Sequence, residues 1–320
     1  MATIWDDYMD GNPDWKNFIE RVSDNTGEHN LTKWIDNMRE NRSLFRQTGW
    51  ATDALQDVEL NKTAVIMGAS PAIAKQVDTL RELQRDPDFV LCGLSCNLEF
   101  LLNNEIKPKY LITVDADKSQ AEFWDNVDMN ETRDITLIAS TLAYPLMLRM
   151  WKGPVKFLAL TTDDKKLKRK QLKWYAPLNG IGKEFWSMLG QFNVLTIFAF
   201  TCLACPILIF VGNEMSYASL DSDYYVDRPA PDKDNDPKGK HPDIYGNVVY
   251  TTVVLMALKF AIENFLQKVS MGGWFFNCTE AGIFGITARY GNLPWIQQLT
   301  LRNGIAQARQ IMRTGKPFYA

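Results

Sequence analysis

The 320-residue chain is 46% hydrophobic and 23% charged, proportions of a folded globular protein and not of a disordered or collagen-like one. Its 35 Lys+Arg against 38 Asp+Glu leave a formal net charge of −3, which excludes bulk attraction to nucleic acid or to an anionic membrane and leaves only local basic patches to act that way. The length suits one large domain or two of ordinary size.

The acidic start, Met1 to Asp7, has no basic segment leading into an apolar core, so no secretory signal and a cytoplasmic location are expected. Residues 1–60 are polar and rich in Trp, and Trp34, Met38 and Leu44 fall on one helical stripe. They are read as an N-terminal helical cap. From residue 61 to about 290 short β-branched runs alternate with helical patterns. Thr63–Met67, Phe89–Gly93, Tyr110–Val114, Ile135–Ala139, Val155–Leu160 and Ile207–Val211 are expected strands, and Phe275–Asn277 a late one. That alternation predicts an α/β fold, a doubly wound, mostly parallel sheet. From Phe192 to Val211 no residue is charged, but Pro206 divides the run and Gly212-Asn213 ends it. A buried helix followed by a buried parallel strand is expected there, not a membrane span. Residues 217–245 read as a long polar loop, 248–265 as a helix, and 291–320 as a helical tail. The five cysteines, including Cys92/Cys96 and Cys202/Cys205, lack zinc-site spacing and are read as free thiols of a reducing compartment.

Ligands of open α/β sheets bind beyond the carboxyl ends of the strands, so the strand ends are where chemistry is sought. Gly68-Ala69-Ser70-Pro71 joins a strand to a helix, where backbone N–H groups suit a phosphate. Asp115 and Asp117 end another strand, placed to bind Mg²⁺ with a phosphorylated ligand, to bind ribose hydroxyls, or to cap a helix. Asn213, Glu214 and Tyr217 follow the strand ending at Val211, and Glu214 has the chemistry of a general base. Asn277-Cys278-Thr279-Glu280 forms a further polar strand end. Of the two histidines, His241 closes the long loop and carries the side chain best suited to proton transfer near neutral pH. The basic run Lys165–Lys173 is either a solvated face or a contact for phosphates of donor or acceptor.

In order, these blocks resemble the family that joins bacterial flagellin motility-associated factors to archaeal MptE-like hydroxymethyl-dihydropterin pyrophosphokinases. The resemblance rests on Val65 to Pro71, on Ile106-Lys-Pro to Asp115, on Gly212 to Tyr217, on Tyr245 to Thr251 and on Asn277 to Gly282. The chain departs from the family pattern where Ala69-Ser70-Pro71 replaces a Gly-Pro-Ser order, at Glu214 in place of Asp, and at Ala281 in place of Gly. That family in turn resembles sialyltransferases using a CMP-sugar, whose Cys-Asn-x-Phe-like segment is matched by Cys96-Asn97 to Phe100. The resemblance implies a Rossmann-like, sialyltransferase-like nucleotide-binding core. In it Gly68, Ala69, Ser70, Pro71, Asn97 and Asn213 hold a nucleotide or nucleotide-sugar donor, and His241 deprotonates the acceptor. The strand-end positions add Asp115, Tyr217, Thr279 and Glu280 as expected donor contacts, and Glu214 and Asp117 as expected catalytic groups.

Glycosyl transfer from a nucleotide-activated donor, a CMP-sugar among the candidates, is the leading expectation, with His241 as base. The acceptor class stays open between a protein hydroxyl, a glycan and a modified nucleic-acid base. The alternatives are a Mg²⁺-dependent pyrophosphokinase acting on a pterin-like alcohol, with Asp115 and Asp117 as metal ligands, and a non-catalytic nucleotide-binding protein.

Overall fold

A computed structural model describes residues 15–161, 165–175, 185–186, 190–227, 238–287 and 291–316. The first residues of the expected cap, residues 228–237 of the expected long loop and the end of the expected tail lie outside the described residues. The helices used below are α1 (Trp15–Thr48), α2 (Val77–Leu83), α3 (Leu98–Asn103), α4 (Lys165–Trp174), α5 (Gln191–Thr201), α6 (Val253–Val269) and α7 (Leu301–Thr314). The strands are β1 (Thr63–Met67), β2 (Phe89–Leu94), β3 (Tyr110–Thr113), β4 (Thr136–Ser140), β5 (Val155–Leu158), β6 (Ile207–Val211), β7 (Lys238–Pro242), β8 (Val248–Thr252), β9 (Trp274–Asn277) and β10 (Gln297–Gln298).

The central sheet has eight strands in the order β10-β9-β6-β1-β2-β3-β4-β5, every neighbour parallel. All residues of β1 and β6 are buried, as strands covered on both faces require. Alternation along each strand feeds two layers. Ala64, Ile66, Leu208 and Phe210 meet Phe192 and Phe198 of α5, Met256 of α6 and Met38 of α1. Val65, Met67, Ile209 and Val211 meet Leu80 of α2 and Leu301, Ile305 and Ala308 of α7. The uncharged run resolves into α5, buried on almost every side, and β6, with Pro206 between them. Among the described residues no helix is long and apolar enough to cross a membrane.

The topology sets the site. After β1 the chain lays β2 to β5 down in succession on one side, then crosses back to place β6 on the other side of β1. The carboxyl ends of β1 and β6 therefore flank the switch point, the crevice where ligands of such sheets bind.

Two stretches differ from the sequence expectation. Residues 248–252 are a strand, β8, paired antiparallel with β7, and the helix begins only at Val253. The β-branched and aromatic run Val248-Val-Tyr-Thr-Thr252 prefers extended backbone, and the Thr252 hydroxyl then caps α6 by accepting from Leu255 N (3.2 Å). The end of the expected long loop is thus half of a hairpin. Its turn is closed by Asp243 Oδ1, which accepts from Tyr245 N and Asn247 N, both at 2.8 Å.

At the opposite end of the sheet, Glu59 is buried and gathers Lys109 Nζ (2.6 Å), Lys62 Nζ (2.9 Å) and the Tyr110 hydroxyl (2.7 Å). Burial pushes its carboxyl up, but the bonds from Lys109, Lys62 and Tyr110 outweigh it and hold it below the usual range. A depressed carboxyl stabilises the fold above its unfolded pKa of about 4.3 and ceases to do so as pH falls through the lower folded value. Glu59→Gln is expected to cost about 2 kcal/mol at neutral pH and to flatten the acid limb of stability. Urea titrations across pH measure both.

Candidate functional site

Two loops meet at the switch point, one after β1 and one after β6. Gly68 N donates to Val211 O (2.8 Å) and Ser70 N to Gly212 O (3.0 Å), so the loops bond backbone to backbone. The Asn213 amide bridges the strand ends, donating to Val211 O (2.9 Å) and Ile66 O (3.2 Å). Asn97 does the same between β1 and β2: its amide donates to Met67 O (3.1 Å) and its Oδ1 accepts from Leu94 N (3.2 Å). Asn213 N donates to the Thr279 hydroxyl (3.1 Å), and Thr279 N to Asn277 Oδ1 (3.1 Å), tying in the end of β9. Asn97, Asn213 and Thr279, expected from the sequence as ligand contacts, are buried and act as ties between strand ends.

The Gly68–Pro71 loop carries an anion of its own. Glu214 Oε1 accepts from Ala72 N (2.7 Å), and Glu214 N donates to the Ser70 hydroxyl (3.2 Å). The carboxylate thus sits at the start of the Pro71–Gln76 turn, where the sequence suggested a phosphate. Burial pushes the Glu214 carboxyl up, against the bonds from Ala72 and Ser70 and the charge of Lys75. Glu280 Oε1 likewise accepts from Gln76 Nε2 (2.9 Å) and Leu301 N (3.1 Å). Met215 and Glu280 have φ of 54° and 58°, so both strand-end loops contain a non-glycine residue in the left-handed region.

Asp115, half-buried beyond β3, faces a different environment. Gln191, the first residue of α5, donates to Asp115 Oδ2 (2.6 Å) and accepts from Ser95 Oγ (2.8 Å) and Ser95 N (3.0 Å). Burial pushes the Asp115 carboxyl up, with the charge of Asp117 adding to the shift and the Gln191 bond opposing it. Asp117 goes the other way. It pairs with Lys33 of α1 and accepts from Ser119 N (3.1 Å), and these hold its carboxyl below the usual range.

An aromatic wall closes this side. Ring centroids run from Tyr217 to Tyr224 (5.4 Å), to Tyr225 (5.3 Å), to Phe123 (5.0 Å), and Lys238 Nζ lies 3.8 Å from the Tyr217 centroid. Val226 N donates to Ala69 O (2.8 Å), folding the segment back on the β1 loop, and Tyr217 exchanges backbone bonds with Tyr250 of β8. Burial raises the Tyr224 and Tyr225 hydroxyls, and both feel Cys96; Tyr224 also feels Glu214, and Tyr225 feels Asp115. Cys96, Asp115, Glu214 and the tyrosines therefore lie near one another beyond the strand ends.

His241 is enclosed. It lies in β7, 1% exposed, beside Lys259 of α6, with Nδ1 2.5 Å from Pro242 O. Burial, with the charge of Lys259, lowers its pKa to about 4, so the ring is neutral near pH 7. That is the form a base needs, but the ring is covered.

Gln191, Tyr224 and Tyr225 were missed by sequence reasoning. The available signals were a polar residue opening an uncharged helix and a tyrosine pair inside a polar loop.

For Mg²⁺ the donor set is poor as arranged. The Lys33 ammonium occupies the place beside Asp117 that a cation would take. Among the described residues no group of three or more His, Cys, Asp or Glu side chains is gathered to hold a metal ion.

The close approach of the two loops predicts a stability effect. A Cβ on Gly68 would lie 2.1 Å from both Gly212 O and Asn213 Oδ1. Gly68→Ala is expected to cost at least about 2 kcal/mol, read as a lowered urea midpoint with unchanged m.

A solved structure titled "Structure of MAf glycosyltransferase from Magnetospirillum magneticum AMB-1" is similar, with a TM-score of 0.58 and 16% identity over 88% of this chain and 42% of that one. The chain thus spans less than half the length of that protein, and at this identity the likeness is one of fold. No curated protein matches the sequence. The family model described as "6-hydroxymethylpterin diphosphokinase MptE-like" matches residues 32–219, which take in the second half of α1, β1 to β6 and both loops of the switch point, and the chain belongs to this MptE-like family.

Proposed function

We propose that the chain is a glycosyltransferase that moves a sugar from a nucleotide-activated donor, a CMP-sugar among the candidates, to a hydroxyl acceptor. The observation that carries the reading is the Asp115 carboxyl: half-buried at a strand end, oriented by Gln191 and facing the tyrosine wall. The crevice offers amide, hydroxyl, carboxyl and aromatic groups, which suit sugar hydroxyls and a base ring better than a metal-bound triphosphate.

In this reading the acceptor oxygen attacks the anomeric carbon, and the bond from that carbon to the donor phosphate breaks. The acceptor proton passes to Asp115, and the nucleotide leaves with the phosphate. A raised carboxyl pKa makes Asp115 a better base than an ordinary aspartate. Glu214 orders the Gly68–Pro71 loop, Asp117 fixes Lys33 at the rim, and the half-buried Tyr224 and Tyr225 offer a stacking face for the base. His241 takes the proton only in a conformation in which the β7–β8 hairpin uncovers it.

The second reading, Mg²⁺-dependent pyrophosphoryl transfer from ATP to a pterin-like alcohol, draws on the description of the family and on the acidic end of β3. Thermal stabilisation by a nucleotide panel separates the two, because a ligand that binds the native state raises Tm. Glycosyl transfer predicts a shift with CMP, UDP or their sugars that survives EDTA. A shift with ATP alone that vanishes in EDTA would overturn it. Asp115→Asn is expected to lower kcat about 10²–10⁴-fold while leaving the donor shift intact. Activity of the unaltered protein should decline as pH falls through the raised pKa of Asp115, and the variant should lose that limb.

A further inference from the structure

We infer that the acceptor is a nucleic-acid strand, held by a basic face that α4 and α1 form beside the crevice. The inference names the acceptor for the transfer reading above and rests on it.

α4 has the sequence Lys-Lys-Leu-Lys-Arg-Lys-Gln-Leu-Lys-Trp, without an acidic residue, in a chain whose net charge is −3. Leu167 and Gln171 are buried on one side, while Lys165, Lys166, Arg169 and Lys173 are exposed on the other. The helix packs along α1, where Tyr175 donates to Met38 O and Arg39 and Lys170 lie over the Trp174 ring at 5.9 and 4.8 Å. Arg42 and Arg46 extend the face along α1. Among the described residues none of Arg42, Arg46, Lys165, Lys166, Arg169 and Lys173 forms an ion pair, whereas Arg39 and Arg149 pair with Asp36 and Glu40. Arg42 Nε is covered and has no hydrogen-bond partner. Exposed cations are satisfied by water, but these six cations on two packed helices make a local positive field that attracts a polyanion.

The face leads to the site. Lys33 of α1 pairs with Asp117, and Asn37 donates to Ala116 O (3.0 Å) and Leu142 O (2.9 Å), beyond the ends of β3 and β4. Thirteen residues of helix separate Lys33 from Arg46, about 20 Å at 1.5 Å per residue, and 3.6 residues per turn set Arg42 and Arg46 on the other side of α1 from Lys33. A donor with one or two phosphates does not cover that distance, whereas a phosphodiester strand held by α4 and crossing over α1 would. An anionic membrane is the poorer occupant. A helix that binds lipid inserts its apolar side, and here Leu167, Gln171 and Tyr175 are turned into the protein.

Fluorescence anisotropy of labelled single-stranded DNA, its duplex and the matching RNA, titrated with the full chain over a range of salt, tests the assignment. Binding is expected to weaken steeply with salt, because each phosphate neutralised releases counterions. Joint reversal of Lys166→Glu, Arg169→Glu and Lys173→Glu should weaken it at least ~10-fold and make the salt slope shallower by about 2. Should that variant not fold, Lys166→Gln with Lys173→Gln gives a graded version of the same loss. The donor-induced Tm shift should be unchanged in either variant. No salt-dependent binding, binding unaffected by the substitutions, or binding to phosphatidylserine vesicles in preference to every nucleic acid would each overturn the assignment. A donor shift without nucleic-acid binding sinks the surface and spares the transfer reading. Salt-dependent binding without any donor shift sinks the transfer reading, and with it the acceptor role.

Discussion

The contact between the ends of β1 and β6 is the constraint on which the rest depends. These strands lie far apart in sequence and become neighbours only because the chain crosses the sheet after β5. Their last carbonyls then face each other closely enough that Gly68 N bonds Val211 O and a single Asn213 amide spans both strands. No side chain fits at residue 68, and the residue at 212 has φ of +65° with Ile73 against it. Once this junction forms, the β1 loop, the β6 loop and, through Thr279, the end of β9 are held as one rigid floor. A crevice built on that floor is pre-organised, which reduces the ordering cost of binding a ligand there.

Above the floor stand three carboxyl groups in three environments. Asp117 is ionised and neutralised by a neighbouring ammonium. Glu214 is buried and its carboxylate accepts from Ala72 N across the junction, at the end of the β1 loop. Asp115 is half-buried and holds one firm hydrogen bond, from an amide that carries no charge. When the surroundings push the pKa values of neighbouring acids apart, their tasks separate too. In the transfer we propose, the salt-bridged group orients, the buried group holds the two loops together, and the half-buried Asp115 with its raised pKa exchanges the proton. This ordering favours Asp115 over His241 as the base of the proposed transfer. The imidazole has a suitable protonation state, but it is covered between the β7–β8 hairpin and α6.

The strands of the sheet were legible because buried parallel strands leave short, strongly apolar runs, and Thr63–Met67 and Ile207–Val211 match the strands residue for residue. The hairpin was not. Val248 to Thr252 and the start of α6 are both apolar, and over so short a stretch β-branching is the only cue that separates strand from helix. The strand-end positions of Gly68, Asp115 and Asn213 were legible, but what their side chains do was not. Asn97 and Asn213 carry the hydrogen-bonding groups of a ligand contact and spend them on backbone carbonyls. Gln191 stands 76 residues from Asp115, and only the packing of α5 against the sheet brings them together.

The N-terminal helix shows the same dependence on long-range packing. Read alone, α1 is a polar helix with an apolar stripe, and a cap is the natural description. In place, Asn37 donates to Ala116 O and Leu142 O, and Asn41 to Thr141 O (3.2 Å) and Ala143 O (2.8 Å). These carbonyls belong to segments that leave the sheet at its carboxyl edge and have no strand partner there. Backbone groups so placed need donors, and two asparagines one turn apart supply four hydrogen bonds from one helix face. The helix that satisfies them also supplies Lys33 to Asp117 and Arg39 to the ring of Trp174. It therefore joins the rim of the crevice to the basic face of α4, and the outer wall of the site depends on a segment that precedes the first strand of the sheet.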